Sequence, residues 1–214
     1  MRYLISFLLL SFPAILVGQT LKIERQVLYI TKNNGDTIEI IGQSIDFFSD
    51  TVIISVNYLK NSKRKKLQHF KTLYSFPLDI SLAVYDNKKG ILIKYDPGVR
   101  YGNSFLYLFD EKKNILREIK GFKDLGRIYN ENYKNRKYFY SYVSCGCANE
   151  CWVSKLFTIK EYQLNILAIL SCDCSKLIST YKPDPKMNSC DAYNNDHKFN
   201  SIAEYWRTKV KNGG

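Results

Sequence analysis

Six cysteines carry the most specific chemistry in this chain. Cys145, Cys147, Cys151, Cys172, Cys174 and Cys190 all fall within one stretch. The Cys-x-Cys spacing at 145/147 and at 172/174 is not the Cys-x₂₋₄-Cys of structural zinc sites, so no metal is assigned, even with His197 close by in sequence. A redox pair at Cys145-Gly146-Cys147 would sit in a βαβ setting, and none surrounds it. An even count in an exported chain is read as disulfides stapling one subregion.

Catalytic signatures are sparse. His69 and His197 are the only histidines, and there is no Gly-x-Ser-x-Gly elbow, no His-Glu-x-x-His and no phosphate loop. Asp79, Asp86, Asp96 and Glu118 are the carboxylates a glycoside hydrolase would draw on. No catalytic residue and no cofactor is assigned.

Two segments are candidates for binding. Asp96, Arg100, Tyr101 and Asn103 lie in a stretch with Gly98 and Gly102, where the backbone can approach a partner and Arg and Tyr supply interface anchors. Lys63, Arg64, Lys65 and Lys66, flanked by Lys60 and Lys71, form the densest basic run, read as a solvated loop tip over 60–71. The formal net charge of +12 suits a polyanionic polymer or an acidic protein surface. Lysine outnumbers arginine 24 to 8, which does not favour bidentate phosphate recognition, and no nucleic-acid-binding motif accompanies the charge.

The elements that position these residues read as β-strands. The chain of 214 residues is 45% hydrophobic and 14% aromatic, which excludes wholesale disorder and allows one sizeable core. Strands are expected at 21–30, 37–41, 45–48, 51–59, 78–85, 91–95, 105–109, 115–119, 138–143, 157–159, 164–170 and 177–181. They are separated by turn signals at Asn34-Gly35, Ser49-Asp50, Asp86 to Gly90 (Gly90 left-handed) and Asp110 to Asn114. Ser201-Ile-Ala-Glu204 has the capping-box pattern, so a short helix is expected near 201–212 with Ile202, Tyr205, Trp206 and Val210 on one face. The fold class is therefore all-β: antiparallel hairpins forming a sandwich, an open barrel or an irregular propeller-like fold, with a short C-terminal helix.

Residues 1–18 have the layout of a secretory signal peptide, with Arg2, an apolar run from Tyr3 to Val17 and small Gly18. That run is shorter than the ~20 apolar residues of a membrane-spanning helix. The remainder divides into a β-rich domain at 19–183 and a tail at 184–214, with no span in the mature chain, an exported protein of the periplasm or exterior.

Gly90 to Asp110 resembles the strand–Gly-loop–strand of exported bacterial β-propeller-like proteins related to integrin-type repeats. Tyr138 to Ala148 and Trp152 to Phe157 resemble a block in uncharacterised secreted bacterial proteins. The resemblance implies an exported β-rich binder. The acidic calcium loop of integrin-type repeats is absent, and no functional residue carries over.

Strand geometry bears on the cysteines. Opposed residues of an antiparallel hairpin share one index sum, so a loop at Glu161-Tyr162 gives 323 and opposes Cys151 to Cys172. A longer loop, from Glu161 to Leu164, gives 325 and opposes Cys151 to Cys174. Cys151 is expected to join one of these. The function expected is a non-enzymatic binding module for a protein or an anionic envelope or extracellular ligand. A carbohydrate-active hydrolase and a structural envelope protein are the alternatives.

Overall fold

The computed structural model describes residues 23–45, 50–61, 63–95, 103–133, 136–144, 151–173, 176–179, 190 and 198–213. The expected signal peptide, the strand expected at 45–48 beyond Ile45, and Ser49 of the expected turn lie outside these residues.

Each strand pairs with its neighbour in sequence. β1 (Arg25–Thr31), β2 (Thr37–Ser44), β3 (Thr51–Lys60) and β4 (Lys63–Leu73) form the first sheet. β5 (Ile80–Tyr85), β6 (Lys88–Tyr95), β7 (Asn103–Asp110) and β8 (Ile115–Glu118) form the second. β9 (Arg127–Tyr133), β10 (Arg136–Ser144), β11 (Trp152–Lys160), β12 (Gln163–Asp173) and β13 (Lys176–Ser179) form the third. All ladders between these strands are antiparallel, and no sheet closes into a barrel. One helix, α1 (Lys198–Gly213), follows. The architecture is an all-β sandwich with a C-terminal helix.

Alternation along β7 explains the layering. Phe105, Tyr107 and Phe109 point into one core with Ile38, Ile40, Ile54 and Ile93, between the first and second sheets. Leu106 and Leu108 point the other way, into a core with Phe139, Phe157 and Ile159 of the third sheet. The second sheet is therefore apolar on both faces, which is why Phe105 to Phe109 is a continuous buried run. On its far face the third sheet packs Tyr138, Tyr140, Tyr142 and Trp152 against Ile202, Tyr205, Trp206 and Val210 of α1. The apolar helix face read from the sequence is buried as expected. α1 begins at Lys198, however, so Ser201 lies inside it and is not its N-cap.

Turn chemistry accounts for several ends. Gly35 has φ +84° and donates to the Lys32 carbonyl at 3.0 Å, closing the β1–β2 hairpin at the expected Asn-Gly signal. The loop expected from Asp86 to Gly90 is shorter. Asp86 and Asn87 take φ of 48° and 59°, and β6 starts at Lys88. Gly90 is not left-handed. It lies inside β6, where a Cβ would collide with the Tyr107 carbonyl oxygen and Leu108 Cα. A close approach between strands requires the glycine, not a turn.

The residues read as a basic loop form strand β4, paired with β3 from Thr51↔Leu73 to Lys60↔Lys63. Self-repulsion of the lysines did not prevent pairing, because β4 is an edge strand whose charged side chains remain in water. β9 also goes beyond the sequence reading, because its Arg127–Tyr133 residues, RIYNENY, carry too much polarity to read as a strand.

Candidate functional site

The basic edge of the first sheet is the most distinctive charged surface among the described residues. Lys60 and Lys63 are directly opposed across a tight connection in which Asn61 takes φ 48°, a left-handed conformation that asparagine tolerates. Lys63, Arg64, Lys65 and Lys66 are all exposed, as is Lys71. Side chains alternate along a strand, so the run presents cations on both faces of the edge, same-face neighbours about 7 Å apart.

A β-bulge sets where this run begins to leave the core. The ladder shifts between Val56 and Asn57, so that Gln68 faces Val56, Lys66 faces Asn57, and Leu67 is the extra residue. On the core side of the bulge the Gln68 amide pairs with the second sheet, donating to the Leu116 carbonyl at 3.1 Å and accepting from the Leu116 N–H at 2.7 Å. Past the bulge the cationic residues extend into solvent.

Arg64 is set apart from its neighbours. Its guanidinium donates to Glu39 Oε1 at 2.8 Å, while Asn57 Nδ2 donates to Glu39 Oε2 at 3.0 Å. The Glu39 side chain is only 4% exposed and that of Arg64 is 55% exposed, so the arginine covers a buried carboxylate. Glu39 and Arg64 line an open depression of about 610 Å³, together with Tyr29, Thr37, Leu59, Lys60 and Asn61. Within the run 63–66, Lys63, Lys65 and Lys66 are thus available to a ligand, while Arg64 is already engaged. Farther along β4, His69 Nδ1 lies 3.1 Å from Ser55 Oγ on the same exposed face.

Among the other sequence-derived binding candidates, the one within the described residues, Asn103, belongs to the second sheet and not to this edge. Asn103 opens β7 opposite Tyr95 and is half-buried. Asp96, Arg100 and Tyr101 lie outside the described residues. The carboxylates considered for hydrolysis are separated by topology: Asp79 and Asp86 flank β5 and Glu118 ends β8, at opposite edges of the second sheet. Asp96 lies outside the described residues.

The cysteine expectation is corrected in part. Cys172 bonds to Cys190, with an S–S distance of 2.09 Å. The shorter of the two expected loops, Glu161-Tyr162, is present, with φ of 49° and 65°, and the ladder starts at Lys160↔Gln163 with the sum 323. A bulge then inserts Leu167 between Phe157↔Ile166 and Leu156↔Ala168. The register moves by one residue, Trp152 takes the place opposite Cys172, and the Cys151–Cys172 pairing is lost. Cys151 is itself disulfide-bonded. Cys145, Cys147 and Cys174 lie outside the described residues.

Tyr162, read from the sequence only as a hairpin-loop residue, fastens the third sheet to the second. Its ring lies 4.5 Å from the Arg117 guanidinium and 5.6 Å from Lys88 Nζ, and its hydroxyl donates to the Phe109 carbonyl at 3.4 Å. Its place at a hairpin tip between two strong strands was the only available signal.

No protein-family model matches the chain, and no curated protein matches it. Among solved structures it is similar to a Xanthomonas type IV secretion system related protein, at 13% identity and a TM-score of 0.41, over 74% of this chain and 100% of that one.

Proposed function

We propose that this chain is an exported, non-catalytic β-rich binding module that engages an anionic polymer of the envelope or exterior through the β4 edge. The observation that carries this reading is the row of exposed cations on a paired, rigid strand, with Lys60 and Lys71 beside it. A strand holds its charges at fixed spacing, so a polymer with repeating negative groups meets them without first ordering a loop. The disulfides at Cys172–Cys190 and Cys151 support an oxidising compartment. Among the described residues no helix is long and apolar enough to cross a membrane.

The test uses heparin as a polysulfated probe. The variant is Lys63→Gln, Lys65→Gln, Lys66→Gln, with Arg64 left in place so that buried Glu39 keeps its partner. Binding should fall steeply from low salt to about 0.5 M, as expected for screened charges and counterion release. The triple variant should lose most of the affinity while keeping its unfolding midpoint. Equal binding by the variant, or no effect of salt, overturns the reading.

A further inference from the structure

The three sheets present edges at β1, β4, β5, β8, β9 and β13. Five of these strands carry charge: Arg25 on β1, Lys63 to Lys66 on β4, Arg117 on β8, Arg127 on β9 and Lys176 on β13. β5, with the sequence ISLAVY, carries none. Charge on an edge strand is the usual guard against pairing with another chain, and here it is missing at one edge.

Hydrogen bonding shows which way the β5 backbone faces. Asp79 O accepts from Lys94 N at 3.0 Å, toward β6. Ile80 N–H points the opposite way and donates to Gln26 Oε1 at 2.7 Å. Gln26 Nε2 also donates to the Leu78 carbonyl at 2.7 Å, so this side-chain amide takes the part of a neighbouring strand for the start of β5. Backbone direction alternates in an antiparallel ladder, so the N–H and C=O of Leu82 and Val84 face outward with those of Ile80. No described group bonds them. Their side chains are 55% and 56% exposed. Tyr29 of β1, itself 54% exposed, helps to line a depression of about 270 Å³ with them, and Lys89 stands at its rim with Nζ donating to the Thr31 carbonyl.

We infer that β5 receives an extended segment of another protein, which continues the second sheet where Gln26 leaves off. Its apolar side chains cover Leu82 and Val84, and an acidic side chain meets Lys89. The occupant's charge follows from Lys89 and from the chain's net charge of +12, which favours an acidic partner over a second copy of the chain. This surface is separate from the β4 edge, and its test does not depend on polyanion binding.

The probe is a blocked synthetic peptide of alternating valine and threonine with a glutamate at each end. At a concentration about a hundred times its Kd, amide hydrogen exchange of Leu82 and Val84 should slow by about a hundredfold. The same peptide N-methylated at alternate residues should bind at least about tenfold more weakly, having lost its donors to the edge. Leu82→Lys with Val84→Lys should abolish binding, and Lys89→Glu should reverse the preference toward a lysine-ended peptide. The Lys63, Lys65 and Lys66 triple variant should still bind the peptide, with no more than the small loss that three fewer positive charges bring. Equal binding of the methylated peptide, or unprotected Leu82 and Val84 amides at saturation, overturns the inference. So does protection of those amides by concentration-dependent dimerisation without peptide, which makes the occupant a second copy.

Discussion

The two outermost interfaces of the stack solve one packing problem with different chemistry. Between the first and second sheets the core is mainly aliphatic and β-branched, with Ile38, Ile40, Val52, Ile54, Val56, Ile91 and Ile93 all fully buried and Tyr74, Phe105, Tyr107 and Phe109 as its aromatic members. Between the third sheet and α1 it is aromatic, with Tyr138, Tyr140, Tyr142, Trp152, Tyr205 and Trp206. Two ladders fix the position of every residue they contain, and stiff β-branched side chains then fill the space between them. The glutamines Gln26 and Gln68 lock this pair of sheets at both edges, each bonding main-chain groups of the second sheet. A lone helix on a sheet has no ladder to stop it sliding or rotating. It gains its orientation from a directional contact: Trp206 Nε1 donates to Ser154 Oγ at 2.7 Å, and Ser154 Oγ donates to the Ser141 carbonyl at 2.6 Å, all of it buried. Apolar burial suffices where hydrogen bonds already fix the register, and a polar handle appears where they do not.

The sharpest way to break this contrast is Trp206→Ala. It removes the largest side chain of α1 from the interface and takes away the donor to Ser154 Oγ, which keeps only its own bond to the Ser141 carbonyl, at an expected cost of about 3–5 kcal/mol in urea unfolding. Trp206→Phe keeps most of the volume and isolates the polar handle, at about 1–3 kcal/mol. Should the phenylalanine variant match the parent chain, the directional role of Trp206 fails.

Cys172→Ser with Cys190→Ser tests the second fastening of this end of the molecule. The bridge spans 18 positions, and closing such a loop contributes about 3 kcal/mol. The loss should appear as a lower urea midpoint. Reductant added to the parent chain should lower the midpoint at least as far, because it opens the Cys151 bridge as well, while the interface between the first and second sheets contains no cysteine.

The smallest effect concerns Tyr107, a buried tyrosine of the mainly aliphatic interface. Its hydroxyl donates to Thr72 Oγ1 at 2.7 Å, and burial pushes its pKa up from 10.0 to about 12. A raised folded pKa means that the stabilisation is whole below pH 10 and drains away as pH rises toward 12. Tyr107→Phe should therefore cost about 1 kcal/mol at neutral pH, and that deficit should shrink between pH 10 and 12. Urea unfolding at the two ends of this window checks it, and a constant deficit refutes the ionisation account.

Much of the fold was legible because period-two alternation and turn residues act locally. Asn34-Gly35 and Glu161-Tyr162 close hairpins where expected, and the stripe of Ile202, Tyr205, Trp206 and Val210 is the buried face of α1. What escaped depends on partners distant in sequence. Lys63 to Lys66 resemble a loop until β3 is known to lie beside them, and the engagement of Arg64 requires Glu39, 25 residues away. The bulge at Leu167 has no glycine or proline to announce it, yet this one residue decides which side chain stands opposite Cys172. Likewise the bare β5 edge becomes meaningful only when the charge on every other edge is seen.

The strictly sequential pairing of strands also has a kinetic meaning. No ladder waits for a distant segment, so contact order is low for a β protein and each meander can form as soon as its own residues are free. The order of assembly can then follow the order of the chain, first sheet, second sheet, third sheet, with α1 closing last over the tyrosines of β10. Until that final step the third sheet carries an uncovered aromatic face, and α1 works as a built-in chaperone that withdraws the face from other molecules.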